Sequence, residues 1–456
     1  MSTAPQSTTL RPTTLQAATL AVRAGIDTDT AYGAVVPPIV LSSNFSFAGF
    51  NEKRQYDYTR SGNPTRDLLA EALSDLEGGV GAVITATGMA AITVVLALLE
   101  PEDTIVVPHD CYGGSWRLFN ALANKSAFEL STIDFTDPRA LADVLATKPA
   151  VVWIETPSNP LLRITDLRFV IEAAHAVGAL TVVDNTFLSP ALQTPIEFGA
   201  DFVVHSTTKY INGHSDVVGG AVIAKKAEQH TQLTWWANAL GIAGAPFDSF
   251  LTLRGLRTLD ARLRVHQENT VALVDLLKDH PAVRTLHYPG LASHPGHALA
   301  ARQQHGFGAM LSIDLAGGLP AVRAFLDGLI DYAGLFPPAE LAIEPAAALY
   351  GRLLGCVDLE VPTPAVVRGG RGRGEQRGGQ CFFQRRLTGV FAPAALEKRL
   401  TRGVDVQRGV VGADEKGNRQ IGPVGIDTGP CAGAFAQRVA DRILDAQRSE
   451  VQAVKR

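Results

Sequence analysis

The sequence has little cysteine, methionine or tryptophan: 4, 3 and 4 residues of 456, with aromatic residues at 7%. So few cysteines in a chain of this length exclude a disulfide-rich secreted domain, and we predict a reducing, cytoplasmic location. No apolar run approaches the length of about 18 residues that predicts a membrane span. The first 14 residues are rich in Ser and Thr and lack a secretory signal pattern. A formal net charge of −4 argues against nucleic acid as a partner.

The composition changes along the chain. Residues 1–330 carry 23 Lys/Arg and 31 Asp/Glu, whereas residues 331–456 carry 18 and 14. All 11 His and all 4 Trp lie before residue 331. The later part contains the run RGGRGRGEQRGG at 368–379, a composition that cannot form a packed core. We therefore predict two pieces of different character, with an RNA-binding arm at 368–379 as a minor alternative to a solvated linker.

The first part alternates between two kinds of apolar pattern. Short apolar runs with the length of buried strands occupy 80–84, 104–108, 151–154, 180–183 and 202–205. Helical spacing recurs between them at 63–77, 137–146 and 167–177. This alternation predicts an α/β fold with a mainly parallel sheet covered on both faces. A long helical pattern from 248 to 280, a strand at 309–315 and a helix at 321–329 predict the start of a smaller α+β domain.

A lysine and an acid follow two of these predicted strands. Ser206, Thr208 and Lys209 come directly after the run 202–205, at the sheet edge where α/β proteins bind ligands. Twenty-five residues before the lysine, another run ends in Asp184. The pair indicates pyridoxal 5'-phosphate (PLP), with which a lysine forms a Schiff base while a carboxylate keeps the pyridine nitrogen protonated. The hydroxyls beside the lysine suit a phosphate group.

Other motifs are weaker. Gly88 and Met89 open a helix after a strand and can offer backbone N–H groups to an anion, although such a turn is often a plain connection. Ser206 and Lys209 also have the Ser-x-x-Lys spacing of serine β-lactamases, but the Ser-Asp-Asn and Lys-Thr-Gly partner motifs do not occur. The histidines at 294, 297 and 305 lack completing acids or cysteines, so we predict no metal site.

Ten longer segments resemble the Cys/Met-metabolism family of PLP-dependent enzymes, and they favour its synthase branch. The segments are AVRAG (21–25), YGAVVPPI (32–39), DYTRSGNPTRD (57–67), TGMAAI (87–92), PHDCYGGSWRLF (108–119), ETPSNPLLR (155–163), VVDNTFLSPALQ (182–193), HSTTKYINGHSDVVGG (205–220), WWANALGIAGAPFDSFLTLRGLRTL (235–259) and ARQQHGFGAML (301–311). The resemblance covers about residues 15–329. The resemblance implies PLP-dependent transferase fold type I, which is aspartate-aminotransferase-like. It predicts an N-terminal arm (1–60), a PLP-binding large domain (61–245) and the start of a small domain (246–329).

The resemblance also implies roles for single residues. Lys209 would bind the cofactor covalently and move protons, Asp184 would pair with the pyridine nitrogen, and Tyr112 would stack on the ring. The phosphate would be held by Gly88, Met89, Ser206 and Thr208, and from a neighbouring subunit by Tyr58 and Arg60. The substrate would meet Asn159 and Arg117, although a structural ion pair is an equal alternative for Arg117. Glu155 is left open between a structural and a catalytic role.

The implied reaction is γ-replacement on an O-acylhomoserine, giving cystathionine when the thiol is L-cysteine. Within the family, O-acylhomoserine sulfhydrylase and cystathionine or methionine γ-lyase stay open. Small amino-acid substrates and a homodimer or homotetramer with shared sites are the implied partners. From another class of function, a PLP-binding protein without turnover is the alternative.

The resemblance stops after residue 329. In the family, an arginine in a Leu-Arg-x-Ser-x-Gly context grips the substrate carboxylate, where a bidentate guanidinium matters. Residues 330–456 contain no such pattern. We favour a frameshift or fusion at about codon 330; a genuine appended module and a protein without turnover are the alternatives.

Overall fold

The computed structural model describes residues 16–325. Within this range the helices with both ends described are α1 (Ala17–Arg23), α2 (Pro64–Glu77), α3 (Gly88–Leu96), α4 (Gly113–Ala123), α5 (Pro138–Leu145), α6 (Leu167–Ala176), α7 (Ser189–Leu192), α8 (Pro195–Phe198), α9 (Ala227–Leu240), α10 (Pro246–Leu256), α11 (Leu259–Leu277) and α12 (His297–Gln303). Residues 318–325 are also helical. The strands of the same range are β1 (Gly81–Thr85), β2 (Thr104–Pro108), β3 (Glu129–Ile133), β4 (Val151–Glu155), β5 (Leu180–Asp184), β6 (Phe202–His205), β7 (Gly220–Ala224), β8 (Val283–His287) and β9 (Ser312–Leu315). The predictions for 330–456 lie outside the described residues.

A seven-stranded sheet forms the centre of the fold, in the order β1-β7-β6-β5-β4-β2-β3. The pairs from β3 through β2, β4 and β5 to β6 are parallel, and β7 runs antiparallel between β1 and β6. This confirms the predicted α/β class with a mainly parallel sheet. Because β4, β5 and β6 are neighbours and parallel, their carboxyl ends meet at one edge.

Helices cover both faces of this sheet. Along β4, Val152 and Ile154 join a core with helices α2, α6 and α10, whereas Val151 and Trp153 join a core with α3, α4 and α9. All five residues of β4 are buried, as expected for a parallel strand covered on both faces. Such strands are continuous apolar runs, and for this reason β2 and β6 coincide with the predicted runs.

Two strands of the large sheet were not predicted, and neither was β8 of the two-stranded sheet. Strand β3 lies at the edge of the sheet and is half-exposed, so its sequence, ELSTI, carries little apolar signal. Strand β7, GAVIA, is short and follows a glycine, which at sequence level resembles a turn. Its insertion between β1 and β6 is the one antiparallel element of the sheet within residues 16–325.

The long helical pattern over 248–280 corresponds to two helices with a break between them. Helix α10 ends at Leu256 and α11 begins at Leu259, with Thr258 at φ −110° and ψ 10° between them. The guanidinium of Arg262 stabilises this break by donating to the carbonyl of Gly255 at 2.7 Å, a group that a continuous helix would have satisfied itself. Helix α11 then packs with β8 and β9 in a separate apolar cluster. The domain boundaries at 60, 245 and 329 stay predictions.

Helix α2 is delimited by strong end signals. The side chain of Asn63 accepts the N–H groups of Thr65 and Arg66, and Pro64 occupies the first helical position. Gly78 ends the helix in the left-handed region at φ 76°, which favours glycine. These ends place Glu77, the last residue of the helix, against the sheet with no exposure to solvent.

A buried carboxylate ties β5 and β6 together at their amino ends. Asp201 accepts the N–H of Thr181 at 3.0 Å, His175 Nε2 lies at 2.8 Å, and Gln229 donates at 2.9 Å. Burial alone would raise the pKa of Asp201, but these donors outweigh it and lower the pKa below its usual value. The ionised form of Asp201 therefore stabilises the folded state.

We expect Asp201→Asn to lower the free energy of unfolding by about 2–3 kcal/mol at neutral pH, because a buried network loses its charge. A carboxyl with a lowered folded pKa contributes stability above its ordinary pKa, and the contribution is lost as pH falls through the folded value. The difference in the free energy of unfolding between the wild type and Asp201→Asn should therefore become smaller below about pH 4. Urea unfolding at several pH values measures it; a difference that stays constant into acid would contradict this assignment.

Candidate active site

Three polar residues end three neighbouring strands. Glu155 ends β4, Asp184 ends β5 and His205 ends β6. Glu155 is directly opposite Asp184 in the parallel register, and Asp184 is opposite Val204. The carboxyl edge of the sheet thus brings Asp184 beside the turn that carries Lys209. This is where open α/β sheets bind ligands.

Helix α3 begins at the same edge. Thr87 is its N-cap, and its hydroxyl accepts the N–H of Ala90 at 2.9 Å. The first N–H groups of a helix have no acceptor within it, so those of Gly88 and Met89 can serve an anion. A Cβ on Gly88 would lie 2.8 Å from Cβ of Ser206 and 3.0 Å from its Oγ. The structure therefore brings Gly88 and Ser206 together, with a gap that only glycine leaves open.

We expect Gly88→Ala to weaken cofactor binding by about tenfold to a hundredfold, because relieving an overpacked contact costs about 1–3 kcal/mol. The matched control is Gly113→Ala, the equivalent first position of α4, where a Cβ would approach nothing closer than Arg117 Nη1 at 3.6 Å. Titrating both apoproteins with PLP and following the absorbance gives the two dissociation constants. Equal constants for the two variants would refute a steric role for Gly88.

The turn after β6 carries the remaining phosphate candidates. The Ser206 N–H donates to the hydroxyl of Thr186 at 2.9 Å, which links this turn to the one that follows Asp184. The Thr208 hydroxyl donates to the carbonyl of Gly219 at 3.2 Å and accepts its N–H at 3.1 Å. In this conformation the hydroxyl hydrogen of Thr208 is donated to the carbonyl of Gly219. Lys209 is exposed within the same turn.

The environment of Asp184 favours a cationic partner. Burial raises the pKa of its carboxyl above the usual value, although Thr186 and His205 partly offset this. Glu155 beside it has a pKa raised well above its usual value, first by burial and then by the charge of Asp184. Two adjacent carboxyls cannot both ionise at low cost unless a positive group lies against one of them. A protonated pyridine nitrogen at Asp184 meets this condition.

An aromatic ring covers the start of helix α4. Tyr112 is the N-cap residue and is 48% exposed. A Cβ on Gly114 would lie 2.4 Å from Cε1 of Tyr112 and 3.1 Å from the sulfur of Met89, so the glycine makes room for the ring beside Met89. The Tyr112 ring is thus available to stack on a planar ligand.

Glu155 connects two of the predicted site residues. Its carboxylate accepts the N–H of Tyr112 at 2.8 Å and also a backbone N–H from Asn159. These bonds tie the start of α4 to the loop that follows β4. Of the two roles left open for Glu155, the contacts favour a structural one, in which it places Tyr112 and Asn159.

Three predicted site residues lie apart from this group within the described chain. Tyr58 is 44% exposed, with the guanidinium of Arg60 5.5 Å from the centre of its ring. Arg60 donates to the side-chain oxygen of Asn238 on α9 at 2.8 Å and also to its carbonyl. Arg117 is exposed on α4, in the turn after Tyr112. The contacts of Arg60 thus go to α9 and not to Ser206 or Gly88 of its own chain.

Sequence reasoning missed several supporting residues. Thr87 caps helix α3, and its position directly before Gly88 is a recognisable N-cap signal. Thr186 joins the turns of Asp184 and Ser206. A Cβ on Gly220 would lie 2.3 Å from the carbonyl oxygen of Thr87, so this glycine lets β7 pack against the cap. Only the folded chain brings these positions together.

The residues fit the cofactor that the sequence predicts. The start of α3 suits a dianionic phosphate, the carboxylate of Asp184 suits a ring cation, and Lys209 supplies an amine in the turn after β6. PLP chemistry needs these three functions in one crevice, which defines the class of protein as a PLP-dependent enzyme.

Comparison with known proteins identifies the family. The model of the Cys/Met metabolism PLP-dependent enzyme family matches residues 18–332, and the chain belongs to this family. It is 55% identical over 317 residues to cystathionine gamma-synthase of Escherichia coli K12, covering 69% of this chain and 82% of the relative. It is 40% identical over 320 residues to a cystathionine gamma-lyase of Dictyostelium discoideum, covering 70% and 83%.

A solved structure agrees with the fold. The crystal structure of cystathionine gamma synthase from Xanthomonas oryzae pv. oryzae is 75% identical, with a TM-score of 0.69, and the match covers 70% of this chain and 82% of that one. The predicted PLP enzyme fold, the family and the cofactor are thereby confirmed. The chain is a PLP-dependent enzyme of the γ-replacement and elimination type, acting on small molecules. Across residues 16–325, no helix is long and apolar enough to cross a membrane.

Proposed function

We propose that the chain catalyses γ-replacement, converting O-succinyl-L-homoserine and L-cysteine to cystathionine and succinate. One observation carries this proposal: the 75% identity to the Xanthomonas oryzae synthase, a protein solved with aminoacrylate and cysteine. The segments that contain Tyr112, Asp184 and Lys209 all lie within the matched family region. The choice of a succinyl rather than an acetyl ester rests on the synthase likeness.

The reaction balances without a redox partner. The Cγ–O bond of the substrate breaks, and succinate leaves with the electron pair. The Cγ–S bond forms to the sulfur of cysteine, and the thiol proton is released. The bound PLP supplies the electron-withdrawing ring that makes loss of the α-proton accessible.

The residues of the chain supply position and proton transfer. Lys209 holds the cofactor, then as a free amine takes the α-proton of the substrate and moves a proton at Cβ. Asp184 holds the ring nitrogen, and Tyr112 stacks on the ring. The phosphate group is held by Gly88, Met89, Ser206 and Thr208. For the substrate, Asn159 donates near its carboxylate and Arg117 offers a positive charge.

We also propose that the active site is shared between two copies of the chain. The segment before Arg60 exposes large apolar side chains, among them Tyr32 at 93% and Phe50 at 95%. Such exposure in one segment is typical of an interface. A second copy of the chain would cover it and would receive Tyr58 and Arg60 at its own phosphate site.

Mixing two inactive variants tests this sharing. We expect Arg60→Ala and Lys209→Ala to be far less active separately, but to regain about a quarter of wild-type activity after they are unfolded and refolded together. Half of the resulting dimers are hybrids, and each hybrid has one site with both residues intact. If the refolded mixture has only the mean activity of the two separate variants, each site uses residues of one chain.

A product assay tests the function itself. The enzyme is incubated with O-succinyl-L-homoserine plus cysteine, plus sulfide, or with no added thiol. We expect cystathionine from the first mixture as the fastest product. Homocysteine formed faster from sulfide would indicate a sulfhydrylase, and a 2-oxo acid with ammonia as the fastest product would indicate a γ-lyase.

Absorption spectroscopy separates turnover from cofactor binding. A bound-cofactor band that shifts on addition of O-succinyl-L-homoserine would show that substrate reaches the ring. A band that does not respond would favour the alternative of a PLP-binding protein without turnover. Residues 330–456 bear on this test, because they contain no counterpart of the carboxylate-binding arginine that the family resemblance implies.

A further inference from the structure

A buried acid–histidine pair lies directly behind the candidate site. The side chains of Glu77 and His205 have no exposure, and His205 Nε2 lies 2.6 Å from Glu77 Oε1. His205 is the last residue of β6 and precedes Ser206, so the pair is one residue away from the cofactor turn. The proposed reaction gives neither residue a task.

The position of Glu77 is costly for a carboxylate. It is the last residue of α2, where the negative end of the helix dipole disfavours an anion. Glu77 Oε2 and His205 Nδ1 have no hydrogen-bond partner among residues 16–325, so the bond between the two groups provides most of the compensation for burying them. A well-packed apolar pair would avoid this cost, which points to an electrostatic role.

Two interactions connect this pair with Asp184, one a hydrogen bond and the other electrostatic. Asn185, the next residue, donates its side-chain amide to Glu77 Oε1 at 2.9 Å and to the carbonyl of Gln193 at 2.7 Å. The charge of His205 lowers the pKa of Asp184, opposing the effect of burial. Glu155, at the end of β4, is a like charge on the other side of Asp184. The interaction with His205 on β6 therefore opposes the effect of burial on Asp184.

We propose that Glu77 and His205 form a positioning pair for the cofactor. The 2.6 Å contact with Glu77 fixes the orientation of the His205 ring on the strand next to Asp184, where the charge of a protonated ring favours the ionised form of Asp184 against the pyridine nitrogen. Through Asn185, the carboxylate of Glu77 holds the turn that carries Asp184. The pair acts on the cofactor only through Asp184, so this inference rests on the role proposed for Asp184 above.

The test measures the protonation of the cofactor ring directly. Holoenzyme is prepared with PLP carrying ¹⁵N in the ring, and the ¹⁵N chemical shift distinguishes a protonated from an unprotonated nitrogen. The variants are Glu77→Gln and His205→Gln, which keep a hydrogen-bonding group at each position and remove its charge. We expect the resonance to move toward the unprotonated value in both. A change of one unit in the pKa of Asp184 is a tenfold change in its affinity for a proton, so we expect kcat to fall by up to about tenfold while KM stays nearly constant.

Two further variants separate the possible outcomes. Asp201→Asn removes the charge of another buried carboxylate, which pairs with the exposed His175 at the opposite edge of the same strands, so it should lower stability and leave the ring resonance in place. Asp184→Asn should move the resonance further than either variant of the pair.

If Asp184→Asn moves the resonance and neither Glu77→Gln nor His205→Gln does, this inference is overturned while the proposed function stands. If Asp184→Asn leaves the resonance unchanged, the role of Asp184 falls and the inference with it. Should Glu77→Gln fail to fold, His205→Gln still decides the question, because its amide can donate to the carboxylate of Glu77.

Discussion

Lys209→Ala should lower kcat by about 10⁴-fold, the upper end of what positioned general acid–base groups contribute. The variant lacks the amine that is proposed both to hold the cofactor and to take the α-proton of the substrate. Borohydride reduction of the wild-type holoenzyme should add the mass of the reduced cofactor to the peptide containing Lys209. The variant should gain no such mass.

Lys225→Ala is the matched control for this experiment. Lys225 directly follows β7, and its ammonium donates to the carbonyl of Gly199 at 3.1 Å, at the edge of the sheet opposite the candidate site. This variant should keep the covalent mass on Lys209 and most of its kcat. Retained mass addition in Lys209→Ala would show that another lysine binds the cofactor, and the assignment of Lys209 would be wrong.

Asp184→Asn should lower kcat by about 10²- to 10³-fold, the loss expected when one preorganised charge at a reacting centre is removed. The same substitution should not lower the stability of the apoprotein. The pKa of Asp184 is raised in the folded state, so its stabilising contribution is present at low pH and is lost as pH rises above its ordinary value. At neutral pH the apoprotein of Asp184→Asn should therefore be at least as stable as the wild type.

For Asp201→Asn we expect the opposite pattern of effects on stability and on kcat. Its carboxylate lies at the amino ends of the same two strands and has a lowered pKa, so the variant should lose stability and keep kcat. Thermal melts of the apoproteins and initial rates of the holoenzymes measure both quantities. A loss of stability in Asp184→Asn as large as that in Asp201→Asn would contradict an electrostatic cost at Asp184.

The sequence was most informative where burial is complete. Strands such as β2 and β6 are runs of apolar residues because both of their faces are covered, and the polar residue that ends such a run stands out. Asp184 and Lys209 could be found in this way. Strand β3 could not, because an edge strand exposes half of its side chains, and β7 could not, because its pairing depends on β1 and β6.

The rest of the site depends on contacts between distant parts of the chain. Glu77 and His205 are 128 residues apart, and nothing in either local sequence indicates that they touch. The same is true of Gly220 and Thr87, whose close approach appears only when β7 lies beside β1. Helix spacing also failed at Thr258, because the break between α10 and α11 is stabilised by Arg262 across the turn and leaves the apolar periodicity intact.

The position of β7 has a consequence for the order of events during synthesis. It is the last strand of the large sheet along the described chain, yet it lies between β1 and β6. Until residue 224 has left the ribosome, β1 has no neighbour in the sheet, and the start of α3 cannot be held against Ser206. Nascent chains that end before β7 should therefore be unable to retain PLP. Binding of PLP by a nascent chain would show that β7 has paired with β1 and β6.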